Sequence, residues 1–153
     1  MLHVLLAATF AAAGAESASI NLSGGHGRLT VSVPSGFRVV NRQPTRLLLA
    51  SGTEQIIVTW SPGVVKPTLL KAMKANMDKL RKQGNVLGPA GIGPYHGLLV
   101  RQPMRLGLGL HTALISGSDI LSLTYFNPAA KGPAAGAADI FRHFIAAARL
   151  SAS

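Results

Sequence analysis

The chain of 153 residues contains no cysteine. A disulfide framework, a thiolate metal site and a lipid-bearing cysteine after a leader are therefore all excluded, and the fold must rest on its apolar core. Acids are nearly as scarce: there are five, Glu16, Glu54, Asp78, Asp119 and Asp139, against 15 Lys and Arg, for a formal net charge of +10. Paired-carboxylate chemistry has little to draw on. Glu54, Asp78, Asp119 and Asp139 fall on an expected hairpin, helix face, turn and helix start, where acids serve ordinary structural ends. Charged residues make up only 13% of the chain, about half the usual share, and the mean hydropathy is +0.33.

Part of that apolar excess lies in residues 1–15, where a run from Val4 to Ala13 is followed by the small residues Ala13-Gly14-Ala15. Such a segment reads as a cleaved secretory signal. A retained anchor and a buried N-terminal helix are the competing readings; the run is shorter than the roughly 20 apolar residues that span a bilayer, and no Lys or Arg precedes it. The expectation is a signal peptide over 1–15, a single domain over 16–153, and a periplasmic or secreted location.

The most regular stretch is Thr68 to Gln83, for which the spacing predicts an amphipathic helix. Leu70, Met73, Met77 and Leu80 fall on one stripe, while Lys71, Lys74, Asp78, Arg81 and Lys82 gather on the other side. Pro67 suits its first turn, and Gly84 can stop it in the left-handed conformation. Before it, alternation and turn signals predict strands over Ser17–Ser23, Arg28–Val33, Phe37–Val40, Thr45–Ala50 and Glu54–Trp60, the last two joined through Ser51-Gly52-Thr53. After it, Gly88 to Pro94 reads as a loop, because its glycines and prolines suit neither a helix nor a central strand. His96–Leu106, Leu108–Ser116 and Ile120–Asn127 read as strands, with Pro103 expected at an edge or bulge. A second helix is expected over Ala137–Leu150, with Ile140, Phe141, Phe144, Ile145 and Ala148 as its apolar face. The order predicts an α+β fold, an antiparallel sheet of about six to seven strands packed by two helices.

The stretch LTVSVPSGF from Leu29 to Phe37, the hairpin ending in Val58-Thr59-Trp60, the Thr68–Gln83 helix and the closing DIFRHFIAAARLS from Asp139 to Ser151 together resemble the PsbP-like family. That family includes the extrinsic photosystem protein of this name, the Mog-type binders of the GTPase Ran and bacterial periplasmic proteins of the DcrB type. The resemblance rests on the order and spacing of these segments. It implies a sandwich of antiparallel sheet and helices, and a noncatalytic binding, chaperone or assembly role. It carries over no site residues, and the chain departs from the DcrB type in having no lipidation cysteine.

Chemistry-bearing motifs are sparse. There is no G-x-S-x-G elbow for a hydrolase, and His26, His96, His111 and His143 are too dispersed to suggest a metal site. Ser23-Gly24-Gly25-His26-Gly27-Arg28 resembles a phosphate loop but lacks the Gly-Lys-Ser ending and a following helix, so it reads as a flexible turn. Trp60 and Phe126 close apolar strands and read as core rather than as base-stacking platforms, as do Met73 and Met77 on their stripe. What remains is the basic helix face, Lys71, Lys74, Arg81 and Lys82, with Arg28, Arg38, Arg42 and Arg46 on neighbouring strands. Its bland reading is a solvated surface; its functional reading is docking to an anionic envelope component, an acidic protein or a membrane surface. The expected function is thus a noncatalytic binding or assembly protein without a cofactor. The alternatives are an envelope hydrolase with a Ser/His site and a polyanion-binding module, with nucleic acid disfavoured.

Overall fold

The structure, a computed structural model, describes residues 16–105, 107–129 and 135–152; the expected signal peptide lies outside them. Ten strands run β1 (Ser17–Leu22), β2 (Gly27–Ser32), β3 (Arg38–Gln43), β4 (Arg46–Ser51), β5 (Glu54–Ser61), β6 (Val86–Ile92), β7 (Tyr95–Met104), β8 (Gly107–Ser116), β9 (Asp119–Phe126) and β10 (Arg149–Ser151). Helix α1 (Pro67–Lys82) separates β5 from β6, and α2 (Ala137–Ala147) precedes β10. The strands form a three-stranded sheet, β1-β2-β10, and a seven-stranded sheet, β3-β4-β5-β9-β8-β7-β6, and every pairing is antiparallel. The fold class is α+β.

Alternation decides which side chains meet. Register sets Leu47 opposite Val58, Val58 opposite Leu123 and Leu123 opposite Thr112, so these four share one face of the large sheet. The apolar core lies on that face, joined by Ile20, Leu29 and Val31 of the small sheet and by Phe141, Phe144 and Ile145 of α2. Tyr125 is at its centre, its ring edge-on to Phe37 and to Phe141. Its hydroxyl donates to Glu54 Oε1 at 2.8 Å; burial and that carboxylate push the phenol well above its ordinary range.

Four sequence expectations need correction. The stretch expected as a loop, Gly88 to Pro94, largely belongs to strand β6, which tolerates Pro89 because it is the edge of the large sheet and carries a register shift between Val86 and Gly88. The C-terminal helix stops at Ala147, and Arg149–Ser151 pairs with β2 instead. On that helix Ile140 is exposed while Ala137 joins the buried face. On α1 the least exposed residues are Leu69, Met73, Met77 and Leu80, of which only Leu80 is fully buried, and Leu70 is 44% exposed. At 100° per residue Leu70 stands roughly 60° from the centre of that stripe, so the helix is rotated toward Leu69. Pro103 matches its expectation: β6 pairs with β7 only as far as Val100, so β7 is locally an edge where Pro103 stands.

Candidate functional site

The four basic residues singled out by sequence, Lys71, Lys74, Arg81 and Lys82, are all exposed on α1. By helical period Lys71 and Lys82 lie opposite the Leu69–Met73–Met77–Leu80 stripe, and Lys74 and Arg81 lie on its flank. Asp78 stands among them, 3.7 Å from Arg81 in an exposed pair, which is worth little in water. Lys79, Arg81 and Lys82 occupy the last turn, where the helix dipole favours positive charge. The turn closes through Gly84 at φ +71, a backbone angle suited to glycine, with its N–H donating to Arg81 O. The other arginines expected to add charge, Arg28, Arg38, Arg42 and Arg46, are exposed on β2, β3 and β4.

The root of α1 is held by a group that sequence reasoning did not single out. Asp119, only 5% exposed, accepts the Gly63 N–H at 2.9 Å through Oδ1. Its Oδ2 lies 3.4 Å from His26 Nδ1. The Val65 N–H donates to Ser118 O in the same turn. His26 is half exposed and tilts over Trp60, 5.7 Å between ring centres. Below it the Trp60 indole N–H donates to the Tyr95 hydroxyl at 3.1 Å. The glycine-rich turn read as a flexible loop thus sets His26 against Asp119 and Trp60. The available signal was Asp119 itself, an acid in a chain that has few.

The remaining histidines do not converge: among the described residues no three His, Asp or Glu side chains are grouped as metal ligands. His96 and His143 are exposed. His111 is half-buried on β8, its Nδ1 2.9 Å from Thr124 Oγ1, and burial lowers its pKa below the ordinary value of 6.5. Trp60, Tyr95 and Tyr125 are buried. An open cleft of 300 Å³ separates the β2–β3 turn at Pro34 and Ser35 from Ile140 and His143 of α2. No described helix is long and apolar enough to cross a membrane.

Comparison of the sequence with protein-family models and with curated proteins finds no match. Solved structures do show similarity. One is a Bacteroides thetaiotaomicron protein at 12% identity and TM-score 0.47, matched over 80% of this chain and 45% of that one, so the chain spans under half its length. Another is the Saccharomyces cerevisiae Ran-binding protein Mog1p, at 14% identity and TM-score 0.49 over 89% and 96% of the two chains. A third is cyanobacterial PsbP from Synechocystis, at 11% identity and TM-score 0.45 over 90% and 94%. Identities this low speak to fold and carry no activity or partner across. The likeness of this chain to Mog1p and to PsbP is one of fold alone.

Proposed function

We propose that the protein is a noncatalytic binding or assembly factor that works in the periplasm or outside the cell and docks through the basic face of α1 to an anionic component of the envelope. The observation that carries this reading is the arrangement of α1. Lys71, Lys74, Arg81 and Lys82 are exposed together, with Asp78 as the acid among them, on a chain of net charge +10. Charge of one sign on a single helix face raises the local concentration of an anionic surface and speeds encounter with it. Replacing the four residues by glutamine should weaken retention on anionic phospholipid vesicles roughly a hundredfold at low salt and leave Tm nearly unchanged. For the unaltered protein, 1 M salt should abolish retention, because the screening length then falls to about 3 Å. Retention of the glutamine variant at the wild-type level would end this reading.

A hydrolase reading draws on one observation, the Asp119 carboxylate 3.4 Å from the His26 imidazole. That pair supplies a base and its orienting acid. Among the described residues no serine hydroxyl hydrogen-bonds His26, whose neighbours are Asp119 and Trp60. Labelling of the native but not the unfolded protein by a serine-reactive probe, lost in His26→Ala, would favour it. Base stacking on nucleic acid is disfavoured because Trp60, Tyr95 and Tyr125 are buried.

A further inference from the structure

Among the described residues, three of the four sheet edges are guarded, each in a different way. β3 has a register shift between Val39 and Asn41 and exposes Arg38 and Arg42. β6 has a shift between Val86 and Gly88 and carries Pro89. β10 is only three residues long and begins at the exposed Arg149. Bulges, charges, prolines and short length are the usual guards against unwanted strand pairing. β1 has none of them: its six residues, Ser17 to Leu22, pair with β2 in unbroken register and include no charge or proline. Among the described residues only β2 lies alongside it.

The ladder fixes which backbone groups are open. The Val33 N–H donates to Glu16 O at 2.8 Å, and the register continues from Ser17 opposite Ser32. In an antiparallel pair bonded residues alternate, so Ala18, Ile20 and Leu22 bond to β2. Ser17, Ser19 and Asn21 turn their N–H and C=O groups to the free edge. Asn21 also holds a charge beside this edge: the exposed Arg28 of β2 donates from Nε to Asn21 Oδ1 at 3.1 Å. Among the described residues no carboxylate pairs with Arg28.

We propose that β1 is a docking edge that takes an extended acidic segment of a partner protein as a fourth strand of the small sheet. Its backbone would bond to Ser17, Ser19 and Asn21, and one of its carboxylates would meet Arg28. Strand addition supplies main-chain hydrogen bonds, and the side-chain contact supplies selectivity. The added strand lies about 4.8 Å beyond β1, within reach of the long Arg28 side chain that already bonds Asn21. A second copy of this chain fits poorly: it brings another net +10 and another Arg28. Its Glu16 has the same parity as Ala18 and Ile20, and so sits on the opposite face from Arg28.

The test is an NMR titration of the full chain with a blocked heptapeptide alternating valine and aspartate, against one alternating valine and lysine. Binding of the acidic peptide should shift the Ser17, Ser19 and Asn21 amides and slow their exchange about tenfold. The Ala18, Ile20 and Leu22 amides should keep the protection they already have. Ser19→Pro removes one outward N–H without touching the β2 ladder and should weaken binding at least tenfold; Arg28→Gln should weaken it three- to tenfold. If Ser19→Pro loosens β1, loss of binding in Arg28→Glu carries the test, since that side chain is exposed. No binding, equal binding of the lysine peptide, shifts confined to α1, or unchanged binding by both the Ser19 and Arg28 variants would overturn the proposal. So would a concentration-dependent dimer formed through β1 without peptide. The α1 glutamine variant should bind the acidic peptide normally, which separates this edge from the vesicle-docking reading.

Discussion

The two helices share a period and differ in what they meet. In α2 the residues Ala137, Phe141, Phe144 and Ile145 are buried, because the helix packs against β2 of the small sheet and β6 of the large one. In α1 only Leu80 is buried, with Leu69, Met73 and Met77 half covered. α1 packs against β6 and β7. Leu99 and Val100, adjacent in β7, point to opposite faces; both are buried, yet Leu99 belongs to the core cluster while Val100 and Leu80 do not. The core therefore fills one face of the large sheet and α1 covers part of the other. An amphipathic pattern tells which side of a helix turns inward; the depth of burial depends on whether one layer or two receive it.

The largest effect that would break this comparison is a core truncation. Phe141→Ala should cost about 3–5 kcal/mol of stability, while Met73→Ala should cost about 1 kcal/mol, in keeping with the smaller apolar area it removes. Denaturant unfolding measures both, and equal losses would mean the helices are equivalent. Asp119→Ala comes next: it leaves the Gly63 N–H without its acceptor and should cost about 2 kcal/mol. Amide exchange in that variant should accelerate in α1 and leave α2 unchanged. A smaller effect comes from His111, which alternates with the core-facing Leu110 and Thr112 and so lies on the α1 side of the sheet. Its folded pKa is below 6.5, so the unfolded chain binds the extra proton first, and stability falls as pH drops from about 6.5 toward the folded value. His111→Gln should flatten that slope in thermal melts taken between pH 7 and 5.

Much of the layout was legible in residue order. Turn residues such as Ser51-Gly52-Thr53 mark the β4–β5 hairpin, with Gly52 at φ +59, and Phe141, Phe144 and Ile145 announce a helix face by their spacing. β6 was not legible, because Gly88, Pro89 and Gly91 argue against a strand unless the strand is known to be an edge. Edge position is a property of the whole sheet. The rotation of α1 from Leu70 to Leu69 was hidden for a related reason, since Leu70 and Leu69 lie on either flank of the same stripe. The positions of Lys71, Lys74, Arg81 and Lys82 on the exposed face were readable from period alone. Asp119 and His26 come together from turns of two different sheets, a meeting that no local pattern encodes.

The division of labour between the helices can be read directly by hydrogen exchange of the full chain with and without anionic phospholipid vesicles. In their absence α1 amides should exchange faster than α2 amides, because fewer buried side chains hold that helix. With vesicles present, protection should rise along α1 and stay constant in α2. Equal exchange in the two helices, or vesicle-induced protection that bypasses α1, would contradict the account.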